Sequence, residues 1–64
     1  MSAQETLEQE ILRLNLIIET NQAALRLGTI SKADKAQLLV AVGQRKARLA
    51  LLQERLAALA RSQQ

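Results

Sequence analysis

The chain contains no cysteine, no histidine, no proline and no phenylalanine, tyrosine or tryptophan among its 64 residues, and each absence removes a class of answer. Without cysteine there is neither a disulfide nor a thiolate nucleophile, and without cysteine or histidine there is no soft metal site and no ordinary base near neutral pH. The six acidic residues are scattered, with no Asp-rich loop to gather a hard cation. Acid–base and nucleophilic mechanisms draw on the missing groups. The expectation is therefore a protein that is not an enzyme and takes no cofactor, metal or small-molecule substrate. A chain of this size buries only about 60% of the surface its unfolded form exposes. Small domains offset that shortage with disulfides, a metal, large aromatic side chains or oligomerisation. The first three are excluded, so self-association or folding on a partner remains.

Long apolar runs are also missing. The longest span four or five residues, as in Leu38 to Val42, too short for a transmembrane helix. The opening Met1-Ser2-Ala3-Gln4-Glu5 has neither the basic nor the apolar segment of a secretory leader. A cytoplasmic location away from membranes is expected.

What the chain does have is helix-forming side chains: 47 of its residues are Ala, Leu, Glu, Lys, Gln, Arg or Met. Ser2 followed by Glu5 reads as a capping box, the Ser hydroxyl accepting from the N3 amide and the Glu reaching back to the cap amide. The one convincing break is Gly28-Thr29-Ile30-Ser31, where Gly28 suits a left-handed helix terminus and Ser31 caps the next helix with Asp34 in its first turn. The fold class predicted is all-α, an antiparallel hairpin filling the single domain 1–64. Its helices cover about 3–27 and 32–60, the turn lies at about 28–31, and 62–64 form a frayed tail.

Both helices carry a heptad seam. On the first, Leu7, Ile11, Leu14, Ile18, Asn21 and Leu25 recur at steps of four and three; on the second, Leu38, Val42, Arg45, Leu49, Leu52, Leu56 and Leu59 do the same. Folding at Gly28 pairs positions whose numbers sum to about 60, so Ile18 meets Val42, Ile11 meets Leu49 and Leu7 meets Leu52. The intrachain seam is thus predicted to be Leu7, Ile11, Leu14, Ile18 and Leu25 against Leu38, Val42, Leu49, Leu52 and Leu56. Each seam has one polar member. Asn21 falls opposite Leu38, and Arg45 lays its stem along the seam with its head free to reach toward Glu10.

A second apolar series runs along the side of each helix away from its seam. Leu12, Leu16, Ala23 and Leu27 lie roughly 150° from the first seam, with Ile17 and Ala24 on a flank. Ala36, Val40, Gly43, Ala47, Ala50 and Ala57 form a track of small residues on helix 2, flanked by Leu39 and Leu51. Burying a Leu or Ile contributes about 1.5–3 kcal/mol, and a lone hairpin cannot cover both of its sides. The outer residues Leu12, Leu16, Ala23, Leu27, Ala36, Val40, Gly43, Ala47, Ala50, Leu51 and Ala57 are therefore the candidate interface. The occupants expected are a second copy, giving a homodimeric four-helix bundle, or a helix of another protein.

Charge divides along the chain. Residues 1–28 hold four Glu and two Arg, whereas residues 29–64 hold seven basic and two acidic residues, giving the overall +3. Arg45, Arg48 and Arg55 make up a candidate basic contact face. Nucleic acid ranks below protein as a partner, because the charge is modest, split between two flanks and unaccompanied by any aromatic residue to stack a base.

In length, single tight turn and heptad seams the chain resembles the plasmid Rop family, which implies a four-helix-bundle dimer that binds paired RNA. No motif is shared residue by residue, so no RNA-contacting position carries over. It is equally similar to the helical-hairpin co-chaperones of type III secretion and to compact phage- or plasmid-encoded inhibitors, which imply helix-to-helix masking of another protein. The function expected is that of an adaptor, inhibitor or co-chaperone working through helix contacts, with a Rop-like RNA- or DNA-binding regulator as the alternative.

Overall fold

Helix propensity is strong on both sides of a single interruption, and a computed structural model, describing residues 2–62, shows two helices and one turn. Helix α1 covers Ala3–Leu27 and helix α2 covers Lys32–Ser62. The 31 residues of α2 rise about 46 Å, and they set the 49 Å length of a rod only 17 × 15 Å across.

Each helix begins on a serine. Ser2, in an extended conformation, accepts from the Glu5 amide at 3.1 Å, and its carbonyl accepts from the Thr6 amide at 3.1 Å. The second arm of the expected capping box is different: Glu5 Oε1 accepts from the Ser2 hydroxyl at 3.3 Å. The hydroxyl both accepts and donates, so a carboxylate curled back over the first turn finds the O–H as near as the cap amide. Ser31 opens α2 in the same way, its Oγ accepting from Asp34 N at 3.2 Å and its carbonyl from Lys35 N at 2.8 Å. Asp34 and Glu5 each place a negative charge in a first turn, where the helix dipole favours it.

Gly28 ends α1 at φ 69° and ψ 13°, the left-handed conformation that a side chain disfavours. The resulting four-residue turn reverses the chain and sets the two seams against one another. At its far end α2 runs two residues past the expected Ala60. Nothing in Ala57 to Arg61 breaks a helix, and Ser62 Oγ donates to the Leu59 carbonyl at 2.8 Å, satisfying one of the orphan acceptors of a helix end. Ser62 is thus helical rather than part of a tail; Gln63 and Gln64 lie outside the described residues.

The core is one line of side chains. Ile18 and Val42 are each 6% exposed and Leu52 is 1% exposed. Around them Leu7, Ile11, Leu14, Leu25, Leu38, Leu49, Leu56 and Leu59 are half-buried. Glu10 meets Arg48 across the same interface at 3.9 Å, joining positions whose numbers sum close to those of Ile18 and Val42.

The two glycines have opposite standing in this hairpin. Replacing Gly28 with Ala forces a left-handed alanine and is expected to destabilise the fold by about 1 kcal/mol. At Gly43, inside α2, an added Cβ meets nothing within 4 Å, so Gly43→Ala gains helix propensity and should stabilise the hairpin by about 0.5–1 kcal/mol. Thermal melts followed by circular dichroism at the lowest workable concentration check both signs.

Candidate interaction surfaces

With the seams turned inward, the remaining faces of each helix follow from about 100° of rotation per residue. Leu12, Leu16, Ala23 and Leu27 fall about 140–200° from the α1 seam and so line the edge of the hairpin beyond α1. Leu12, Leu16 and Leu27 are 64%, 58% and 73% exposed, and Ala23 is half-buried. On α2, Ala36, Val40, Gly43, Ala47, Ala50, Leu51 and Ala57 fall about 120–180° from the seam and line the opposite edge. All seven are exposed, Val40 at 61% and Leu51 at 41%. The two apolar series therefore do not form one surface. They bound the rod on opposite sides, separated by the seam.

Between the edges lie two flat faces, and both are polar. One carries Glu10 and half-buried Ile17 and Ala24 of α1 beside Gln37, Gln44, Arg48 and Arg55 of α2. The other carries Glu8, Asn15, Glu19 and Arg26 of α1 beside Lys35, Lys46 and Gln53, with Leu39 at its margin, 53% exposed. In a square four-helix bundle each helix meets its two neighbours about 90° apart, so a face-to-face pair would close over these polar flats. The outer leucines would stay on its perimeter.

The basic residues are not gathered into one patch. Arg45 sits on the seam line and is half-buried, whereas Arg48 and Arg55 are exposed on the first flat face. The expected reach of Arg45 toward Glu10 is replaced by the Arg48–Glu10 pair, with side chains 51% and 46% exposed. Arg48 projects from the same flat face as Glu10, while Arg45 points into the seam. An ion pair this exposed contributes less than about 1 kcal/mol, but it places a carboxylate within 3.9 Å of one of the three arginines.

At the turn end the seam opens into a shallow depression lined by Asn21, Ile30, Asp34, Gln37, Leu38, Ala41 and Arg45. Asn21 and Arg45, the polar members of the two seams, both line it. Asn21 Nδ2 is buried with no hydrogen-bond partner. Ile30, half-buried in the turn, was not singled out by periodicity because it belongs to neither helix. Among the described residues no helix is long and apolar enough to cross a membrane.

Comparison with protein-family models, with curated proteins and with solved structures finds no match to this chain.

The unpaired Asn21 amide has a measurable consequence. A buried donor without a partner costs about 1–3 kcal/mol, so Asn21→Leu, which continues the aliphatic seam beside Leu38, should stabilise the hairpin by about 1 kcal/mol. Urea unfolding would show a higher midpoint with an unchanged slope. An unchanged or lower midpoint would mean that the amide has a partner in solution.

Proposed function

We propose that this chain is a non-enzymatic interaction protein that self-associates through its apolar edges and binds another protein by helix-to-helix contact, in the manner of an adaptor, inhibitor or co-chaperone. The observation that carries the reading is the imbalance of burial. Among the described residues three large aliphatic side chains are buried, while Leu12, Leu16, Leu27, Leu39, Val40 and Leu51 remain 41–73% exposed. Scattered exposed leucines are ordinary on a protein surface, but rows of them at helical spacing mark a surface meant to be covered. The total accessible surface, 4876 Å², supports this. A folded monomer of the same mass exposes about 4,100 Å², so this rod leaves about 800 Å² more surface in water than a compact chain of its size.

Sedimentation equilibrium at micromolar concentration is expected to give a mass above the 7.1 kDa of the chain. Leu16→Glu, on an exposed edge, should lower that mass while leaving the helical circular dichroism intact. Ile18→Glu puts a carboxylate at a position 6% exposed and should abolish folding. A stable monomer with no partner would overturn the self-association, and equal unfolding by both variants would overturn the division into seam and edge. Salt-sensitive RNA or DNA binding, lost in the Arg48→Gln/Arg55→Gln double variant, would instead favour a Rop-like regulator.

A further inference from the structure

We infer that copies of this chain associate head to tail, the outer edge of α1 in one copy lying antiparallel along the outer edge of α2 in the next, and do not close face to face as a pair. The inference rests on the self-association proposed above and specifies its geometry.

Three observations converge on this arrangement. The first is placement. The exposed leucines of α1 and the exposed Val40 and Leu51 of α2 bound opposite sides of the rod, so no single two-fold contact covers both. A contact joining one edge to the other covers every edge except the two at the ends of the assembly. The second is spacing. Leu16 and Leu27 stand eleven positions apart on α1, as do Val40 and Leu51 on α2, and eleven residues make about three helical turns. Run antiparallel, the two helices bring Leu27 onto Val40 and Leu16 onto Leu51 at once. The same register sets Ala23 beside Gly43, where a Cβ would find open space in the lone hairpin and a neighbouring backbone can approach.

The third is charge. Helix α1 carries four Glu and two Arg, and α2 carries seven basic and two acidic residues. Pairing α1 with α1 or α2 with α2 sets like net charge against like, whereas α1 against α2 sets negative against positive. In the register fixed by the aliphatic pairs, Arg13 comes beside Glu54 and Glu5 beside Arg61, and all four are exposed in the single hairpin. Such flanking pairs select partner and orientation more than they add affinity. Because the contact joins two different surfaces, every open assembly keeps one free edge of each kind at its ends, and growth continues until a ring closes.

A complementation experiment tests this. Leu16→Glu blocks the α1 edge and Val40→Glu blocks the α2 edge; both positions are more than half exposed, so circular dichroism should report an unchanged hairpin. Should either glutamate lower the helix content, Leu16→Gln and Val40→Gln take their place. The unsubstituted chain is expected to pass beyond a dimer as its concentration rises, and each variant alone to stay at 7.1 kDa. An equimolar mixture should form a species of twice that mass and nothing larger, since each variant retains the edge the other lacks. An unsubstituted chain that stops at a dimer, or a mixture that stays monomeric, would overturn the head-to-tail geometry while leaving self-association standing. A chain that is monomeric at every concentration would overturn both.

Discussion

The described residues share one apolar contact line between α1 and α2, and the rest of the structure depends on it. Two antiparallel helices touch along a single seam, and each turns roughly a third of its circumference toward the other. That geometry lets Ile18, Val42 and Leu52 be buried and leaves the rest of a long seam half-covered. A third helix would close the seam from the side, and the described residues contain two. Here the rod is 17 × 15 Å in section, little more than two side-chain-coated helices, so no interior layer exists for the outer leucines to enter. Their exposure follows from the count of helices and not from any local failure of packing.

The same constraint assigns the work of setting register to the turn. In separate helices a polar residue in an apolar seam can fix alignment at some cost in stability. In this chain α1 and α2 are joined by four residues, with Gly28 in the left-handed region and Ser31 already capping the next helix. Sliding one helix by a heptad would require a longer connection. The unpaired Nδ2 of Asn21 is therefore a stability cost that alignment does not require. Arg45, three to four residues beyond Ala41 and Val42 on the facing helix, borders the same depression. Toward the far end Leu52, 1% exposed, is the most deeply buried of the described residues.

Much of this was legible in the sequence because helices encode it locally. Ser2, Gly28 and Ser31 mark three of the four helix ends through hydrogen bonds and a backbone conformation that involve only near neighbours. The fourth end was read short, because α2 has no stop signal, and the Ser62 hydroxyl bond that satisfies a terminal carbonyl is not visible as a pattern. Side-chain partners across the seam were less legible. Arg45 and Arg48 are one turn apart, and which of them meets Glu10 depends on a rotation of α2 that periodicity fixes only to within a side chain. The placement of the two outer series was harder still. Periodicity gives each series an angle from its own seam, but that they lie on opposite edges follows only once the seams face each other. Ile30 gave no signal at all, since one aliphatic residue in a turn has no period.

The outer edges and the thin core are then two sides of one thermodynamic fact. Among the described residues only Leu52 is fully buried, so the hairpin has little stability to lose, and whatever binds its folded form and not its unfolded form raises that stability by mass action. For a second copy or a partner helix alike, the gain grows with the logarithm of concentration over dissociation constant. Gly43 shows the same logic within one residue. It weakens α2 by about 1 kcal/mol relative to alanine in the lone hairpin, where its flank is open space, and the loss has a structural return only where a neighbouring backbone comes close enough to exclude a methyl group. Under the proposed self-association, folding and contact with a second copy would draw on the same exposed leucines.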